Sequence, residues 1–167
     1  MNTAADGLPR LRTRIQAINA ACRQLAETLP KTKAVCIHRD FYPDQTLVDG
    51  DQLHLLDFDL LCMGDPAIDV GNYLAHLIEH GLRVHHDPAA YAAASDALRR
   101  RYASLSGMPR MSESIRVYTL LSLARHIQLS TQLPGRAAFT ERILATCEAL
   151  LEIESSPALP GPAPLSS

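Results

Sequence analysis

Asp49-Gly50-Asp51 sits between two short apolar runs, Thr46-Leu47-Val48 and Leu53 to Leu56. Asp-Gly between runs of this kind is a strong hairpin signal, because glycine accepts the positive φ that a tight two-residue loop demands. A hairpin brings its two flanks together, and here both flanks are acidic. His38-Arg39-Asp40-Phe41-Tyr42-Pro43-Asp44-Gln45 lies before it and Asp57-Phe58-Asp59 after it. A further short strand is expected at Ala34-Val35-Cys36-Ile37, with Cys36 read as a small buried hydrophobe. The fold must therefore place two carboxylate-bearing loops at one edge of a small β unit.

Helical patterns surround this unit. Leu11, Ile15, Ile18, Ala21, Cys22 and Leu25 recur at helical spacing, which predicts a helix over 8–29 that Pro30 ends. β character is expected to stop at Asp59. Asp65-Pro66 reads as a helix start, with Asp as N-cap and Pro at the first helical position. That helix is expected to reach about His80, with Gly81 closing it. Further helices are expected at about 88–105, 112–133 and 137–154. The last thirteen residues, SSPALPGPAPLSS, are proline-rich and predict a disordered tail over 155–167. The prediction is an α+β chain, mostly helical, with one unit over 1–154. Its parts are the leading helix 8–29, the acidic loops 34–59 and a helical part 65–154.

The 167 residues suffice for one domain with a real core. A net charge of −2 excludes a broad basic field for nucleic acid or an anionic membrane, and Arg99-Arg100-Arg101 reads as a solvated helix face. Four cysteines without CxxC spacing argue against a disulfide framework and fit a reducing compartment. MNTAADGLPR lacks the apolar stretch of a signal peptide, and no run approaches the ~20 apolar residues of a membrane span. The expectation is a soluble cytoplasmic protein with no nucleic-acid or membrane partner.

H-x-D-x-x-x-x-N, then a hairpin and D-F-G, is the catalytic layout of kinases. Phosphoryl transfer needs a carboxylate that orients the attacking hydroxyl and accepts its proton. It also needs oxygen ligands that hold Mg²⁺ against the phosphates. Asp40 suits the first task and Asp57 the second. The segment from Val35 to about Leu77, including Gly64-Asp65-Pro66-Ala67-Ile68-Asp69-Val70-Gly71, resembles the C-terminal lobe of the aminoglycoside phosphotransferase and choline kinase-like family, within the protein-kinase-like superfamily. The resemblance implies ATP and Mg²⁺ as cofactors, Asp40 as catalytic base, Asp57 as metal ligand and Asp69 as a structural acid behind the catalytic loop. His38 is read as holding that loop and Asp65 as the helix cap. Only Leu60 to Gly64 separate Asp59 from the next helix start, and no A-P-E follows. A peptide-docking activation segment has no room, which points to a small-molecule hydroxyl as acceptor.

Gln45 stands where the family has Asn; its amide oxygen can still bind nucleotide-bound metal, one methylene further out. Asp59 stands where protein kinases have Gly, and adds a second acid for a second Mg²⁺. The 37 residues before His38 read as a helix, no G-x-G occurs, and the lysines are Lys31 and Lys33. The expectation is a truncated enzyme, a cut domain or a remnant without a nucleotide-clamping N-lobe, and therefore little turnover by this chain alone. Apolar residues near Phe41, Tyr42 and Leu60–Met63 are expected to be partly exposed, or covered by an N-lobe or a second copy. Two rival readings stand beside this one. His76-Leu77-Ile78-Glu79-His80 matches the H-x-x-E-H of zinc hydrolases, with His85 and His86 nearby but no identifiable third ligand. The acidic loops are also compatible with an inactive, pseudokinase-like scaffold.

Overall fold

The amphipathic leading stretch forms helix α1 (Arg12–Thr28), with Ile15, Ile18 and Cys22 buried along one face. Leu29 leaves the helical region, as suits a residue before proline. The computed structural model describes residues 11–133 and 135–155; the start of the expected helix and the tail 156–167 lie outside them.

The hairpin forms from β2 (Thr46–Asp49) and β3 (Gln52–Leu55), with Asp49 opposite Gln52 and Thr46 opposite Leu55. Gly50 opens the two-residue loop at φ +57°. β character does not stop at Asp59. Cys62–Gly64 forms a strand, β4, antiparallel to β1 (Val35–Ile37), with Val35 opposite Gly64 and Ile37 opposite Cys62. Gly64 makes room for this pairing, since a Cβ there would lie 2.5 Å from Ile37 Cδ1. Cys36 corrects another expectation: it is exposed, because alternation along β1 turns Ile37 inward and Cys36 outward. All four cysteines are free thiols.

Helix α2 (Ala67–His80) starts where Asp65 Oδ1 accepts the Ala67 N–H at 2.9 Å. Gly81 does not close it. Gly81 stays right-handed at φ −57°, the chain continues through a π-turn over Gly81–His85, and His86 ends it at φ +57°. Gly81 serves a close approach instead: a Cβ there would sit 2.5 Å from the Asp87 carbonyl oxygen. Helices α3 (Ala92–Ser106), α4 (Met111–Gln132) and α5 (Thr140–Ser155) follow, with a 3₁₀ turn at Ala137–Phe139 before α5.

The main core joins α1, α2, α4 and α5 around Ala75, Leu123, Leu144 and Cys147. A smaller cluster packs Val70 and Leu74 of α2 on Met111 and Ile115 of α4, roofed by Leu98 and Tyr102 of α3. The fold is mostly helical α+β with two small antiparallel sheets. Among the described residues no helix is long and apolar enough to cross a membrane.

Candidate active site

The loop after β1 is held by the first turns of α2. Asp69 accepts the His38 N–H on Oδ2 and the Arg39 N–H on Oδ1, each at 2.7 Å. Three residues on, Asn72 Nδ2 donates to the Phe41 carbonyl at 3.0 Å. Arg39 takes a left-handed φ of +72°, an uncommon conformation that the two Asp69 bonds stabilise. His38 is buried and ties the loop to the far end of the hairpin, its Nε2 lying 2.7 Å from the Leu56 carbonyl. A carbonyl can only accept, so Nε2 carries the proton and Nδ1 is left without a partner. Phe41 and Phe58 flank the ring at 5.9 and 5.5 Å between centroids.

Asp69→Ala is expected to cost about 2 kcal/mol in urea unfolding, because only the His38 amide loses its acceptor in a part-buried setting while the Arg39 amide can turn to water. A loss below a few tenths of a kcal/mol would mean the clamp is ornamental.

Asp57 follows β3 at φ +59°, and its Oδ2 accepts from Gln45 Nε2 at 3.2 Å. The Gln45 backbone carbonyl accepts the Leu56 N–H at 2.9 Å, so the hairpin itself brings Gln45 and Asp57 together. Asp59 is exposed, and among the described residues no hydrogen bond or ion pair joins it to either. Among the described residues no three His, Cys, Asp or Glu side chains converge as a metal site. Asp65 divides its oxygens between the Ala67 N–H and, at a long 3.5 Å, the Tyr118 hydroxyl.

Asp40 is half-buried and lines a cavity of about 450 Å³ that neither Gln45 nor Asp57 lines. Its loop wall holds Asp40, Tyr42 and Asp44. The opposite wall is helical: His76, Glu79 and Arg83 come from α2 and its π-turn, and Arg125 and His126 from α4. Tyr42 stacks on the His76 ring at 4.5 Å, and His126 meets that ring edge-on at 4.5 Å. Burial pushes the His76 pKa down to about 4, with Arg125 and Arg136 acting in the same direction and Asp40 and Asp44 opposing. Burial pushes His126 down to about 3, reinforced by His76, Arg125 and Arg136. Both rings are therefore neutral at pH 7.

Glu79, which a zinc hydrolase would need as a free base, is buried and shared by Arg83 at 3.3 Å and Arg136 at 3.5 Å. His80 Nδ1 is engaged with the Tyr91 hydroxyl at 3.0 Å. Sequence reading had no hold on Arg83, Arg125, His126 or Arg136. Their trace in the sequence is Arg125-His126, set between Leu123-Ala124 and Ile127 of α4.

Comparison with known proteins bears on this geometry. The model of the family described as "Phosphotransferase enzyme family" matches residues 2–113. A thermostable mutant of aminoglycoside phosphotransferase APH(4)-Ia, in apo form, shares the fold with a TM-score of 0.60 at 20% identity, over 89% of this chain and 46% of that one. Aminoglycoside phosphotransferase APH(4)-Ia gives a TM-score of 0.60 at 19% identity, over 88% of this chain and 45% of that one. The chain thus spans about half the length of these solved structures. No curated protein sequence is a significant match.

Proposed function

We propose, because this chain belongs to the phosphotransferase enzyme family, that its described residues form the helical, acceptor-binding C-terminal lobe of an ATP-dependent kinase acting on a small-molecule hydroxyl. The observation that carries the reading is the Asp69 clamp, which presents Asp40 to a cavity, together with the hairpin, which pairs Gln45 with Asp57. Asp40 orients the acceptor hydroxyl and takes its proton. Gln45 gives its amide hydrogen to Asp57, so its carbonyl oxygen and the remaining Asp57 oxygen are free hard donors. That donor set fits Mg²⁺, which takes one or two carboxylates and leaves other positions to phosphate and water. Gln45 and Asp57 would hold the ion, and Asp59 a second one. Bound there, Mg²⁺ would neutralise phosphate charge.

The described residues include no glycine-rich loop and no strand lysine to position ATP. We assign that task to a strand-rich N-lobe, or to a second copy of the chain, seated on the open face of the β unit. Support comes from that face: Val48 and Met63 are 69% and 67% exposed, with Leu53, Phe58 and Leu60 also bare. The rival reading is a scaffold carrying the same acidic loops; among the described residues no three His, Cys, Asp or Glu side chains converge as a metal group.

Divalent ions separate the readings. Mn²⁺ or Mg²⁺ at millimolar concentration is expected to stabilise the wild type by about 1 kcal/mol or less, since the phosphates that complete the shell are missing. Asp57→Ala should abolish the gain and His80→Ala should not. No response in the wild type favours the scaffold. A strong Zn²⁺ response lost in His76→Ala would move the site to metallohydrolase chemistry.

A further inference from the structure

We infer that the cavity beside Asp40 is built for a hydroxyl compound bearing a carboxylate, and against polyamines. The wall facing the loop carries three guanidinium groups, Arg83, Arg125 and, from the turn before Ala137, Arg136, against one carboxylate, Glu79. Glu79 already serves two of the three, Arg83 and Arg136. Arg125 is exposed, and among the described residues no carboxylate lies within ion-pair distance of it. The two acids of the opposite wall, Asp40 and Asp44, belong to the catalytic loop. The cavity is therefore polarised, acidic where a hydroxyl would be deprotonated and cationic across from it.

The two histidines of the helical wall add no charge to it. His126 is 2% exposed and lines the cavity, yet its Nε2 has no hydrogen-bond partner among the described residues. That nitrogen is sealed from solvent, so it is an unpaired atom behind the wall and not a contact point for the ligand. His76 and His126 are uncharged at neutral pH, so among the described residues lining the cavity the spare positive charge is that of the guanidinium wall. One unpaired arginine matches one negative charge, and a planar fork suits a carboxylate. A dianion would carry its second charge toward Asp40 and Asp44. An ammonium group on this wall would find only Glu79, already shared. A cavity near 450 Å³ accommodates a compound of monosaccharide size.

That this ligand is the phosphoryl acceptor rests on the function proposed above; the charge preference of the cavity does not. The test uses the 167-residue chain and three probes on one carbon skeleton: gluconate, glucose and glucosamine. The His76 and His126 ring C–H resonances report binding by NMR. Gluconate is expected to shift both and to bind about tenfold more tightly than glucosamine, the effect of one charge-assisted contact. Arg125→Glu should reverse the order. Equal or tighter binding of glucosamine, unchanged gluconate binding in Arg125→Glu, or no shift with gluconate at tens of millimolar would each overturn the inference. The two readings fail separately. A gluconate preference without any Mn²⁺ response at Asp57 leaves a carboxylate site and removes the kinase. An Mn²⁺ response with a preference for glucosamine leaves the kinase and removes this inference.

Discussion

Gly71→Val is expected to destabilise the fold by about 3 kcal/mol or more and to lower its melting temperature by roughly 10 °C. Helices α2 and α4 cross at this residue. A Cβ on Gly71 would lie 2.5 Å from Tyr118 Cβ and 2.8 Å from both the Thr119 nitrogen and the Tyr118 carbonyl carbon. None of these atoms can swing aside, because all belong to backbone or to the first side-chain carbon. The helices would have to separate, opening the cluster of Val70, Leu74 and Ile115. Gly71→Ala gives the sharper test. In an exposed helix interior that change gains about 1 kcal/mol from helix propensity. Here it should lose stability, and a stabilised alanine variant would show that the helices do not approach so closely.

The same substitution should disturb the site, because α2 does two jobs on two faces. Val70, Gly71, Leu74 and Ala75 face the cores and the α4 crossing. Asp69, Asn72, His76, Glu79 and Arg83 follow one another at intervals of three and four, which is a single stripe of a helix. The stripe begins by clamping the Asp40 loop and ends as the cavity wall. Moving α2 off α4 by the width of a methyl group therefore displaces both the Asp69 clamp and the histidine pair.

This division explains what could be read before the structure and what could not. The hairpin was legible because its determinant is local, a glycine at the first loop position between two β-type runs. The Asp40 loop could be singled out because His38, Asp40 and Gln45 follow the spacing that phosphoryl-transfer chemistry demands. β4 was not, since three residues hold no periodicity and Cys62–Gly64 is a strand only through β1. Gly81 misled for a related reason: a glycine after a helix usually frees the chain to turn, but here it admits the Asp87 carbonyl against the helix. The guanidinium wall was invisible because Arg125 on α4 and Arg136 in the turn before Ala137 join His76 only through tertiary packing. Nothing in the local pattern pairs positions so far apart.

Mild acid is expected to weaken the fold through that same packing. In the unfolded chain both histidines protonate near pH 6.5, whereas in the folded chain His76 resists until about pH 4 and His126 until about pH 3. Between those limits the unfolded state binds protons that the native state refuses, so stability falls as pH falls. The contribution is complete above about pH 6.5, shrinks through pH 5 and levels off below the folded values. Two such groups change stability by at most about 2.7 kcal/mol per pH unit, less where His76 is partly solvated. Desolvation dominates at both rings. Arg125 and Arg136 oppose protonation of each, His76 opposes protonation of His126, and Asp40 and Asp44 favour protonation of His76 alone. His126→Leu isolates the effect. It removes a titrating ring and an unpaired buried nitrogen together, so it should cost little at pH 7 and flatten the acid limb by about one proton. Urea unfolding of both proteins at pH 7 and pH 5 is the measurement. Parallel losses in wild type and variant would mean that His126 takes up no proton on unfolding, and the neutral, desolvated histidine pair would have to be abandoned.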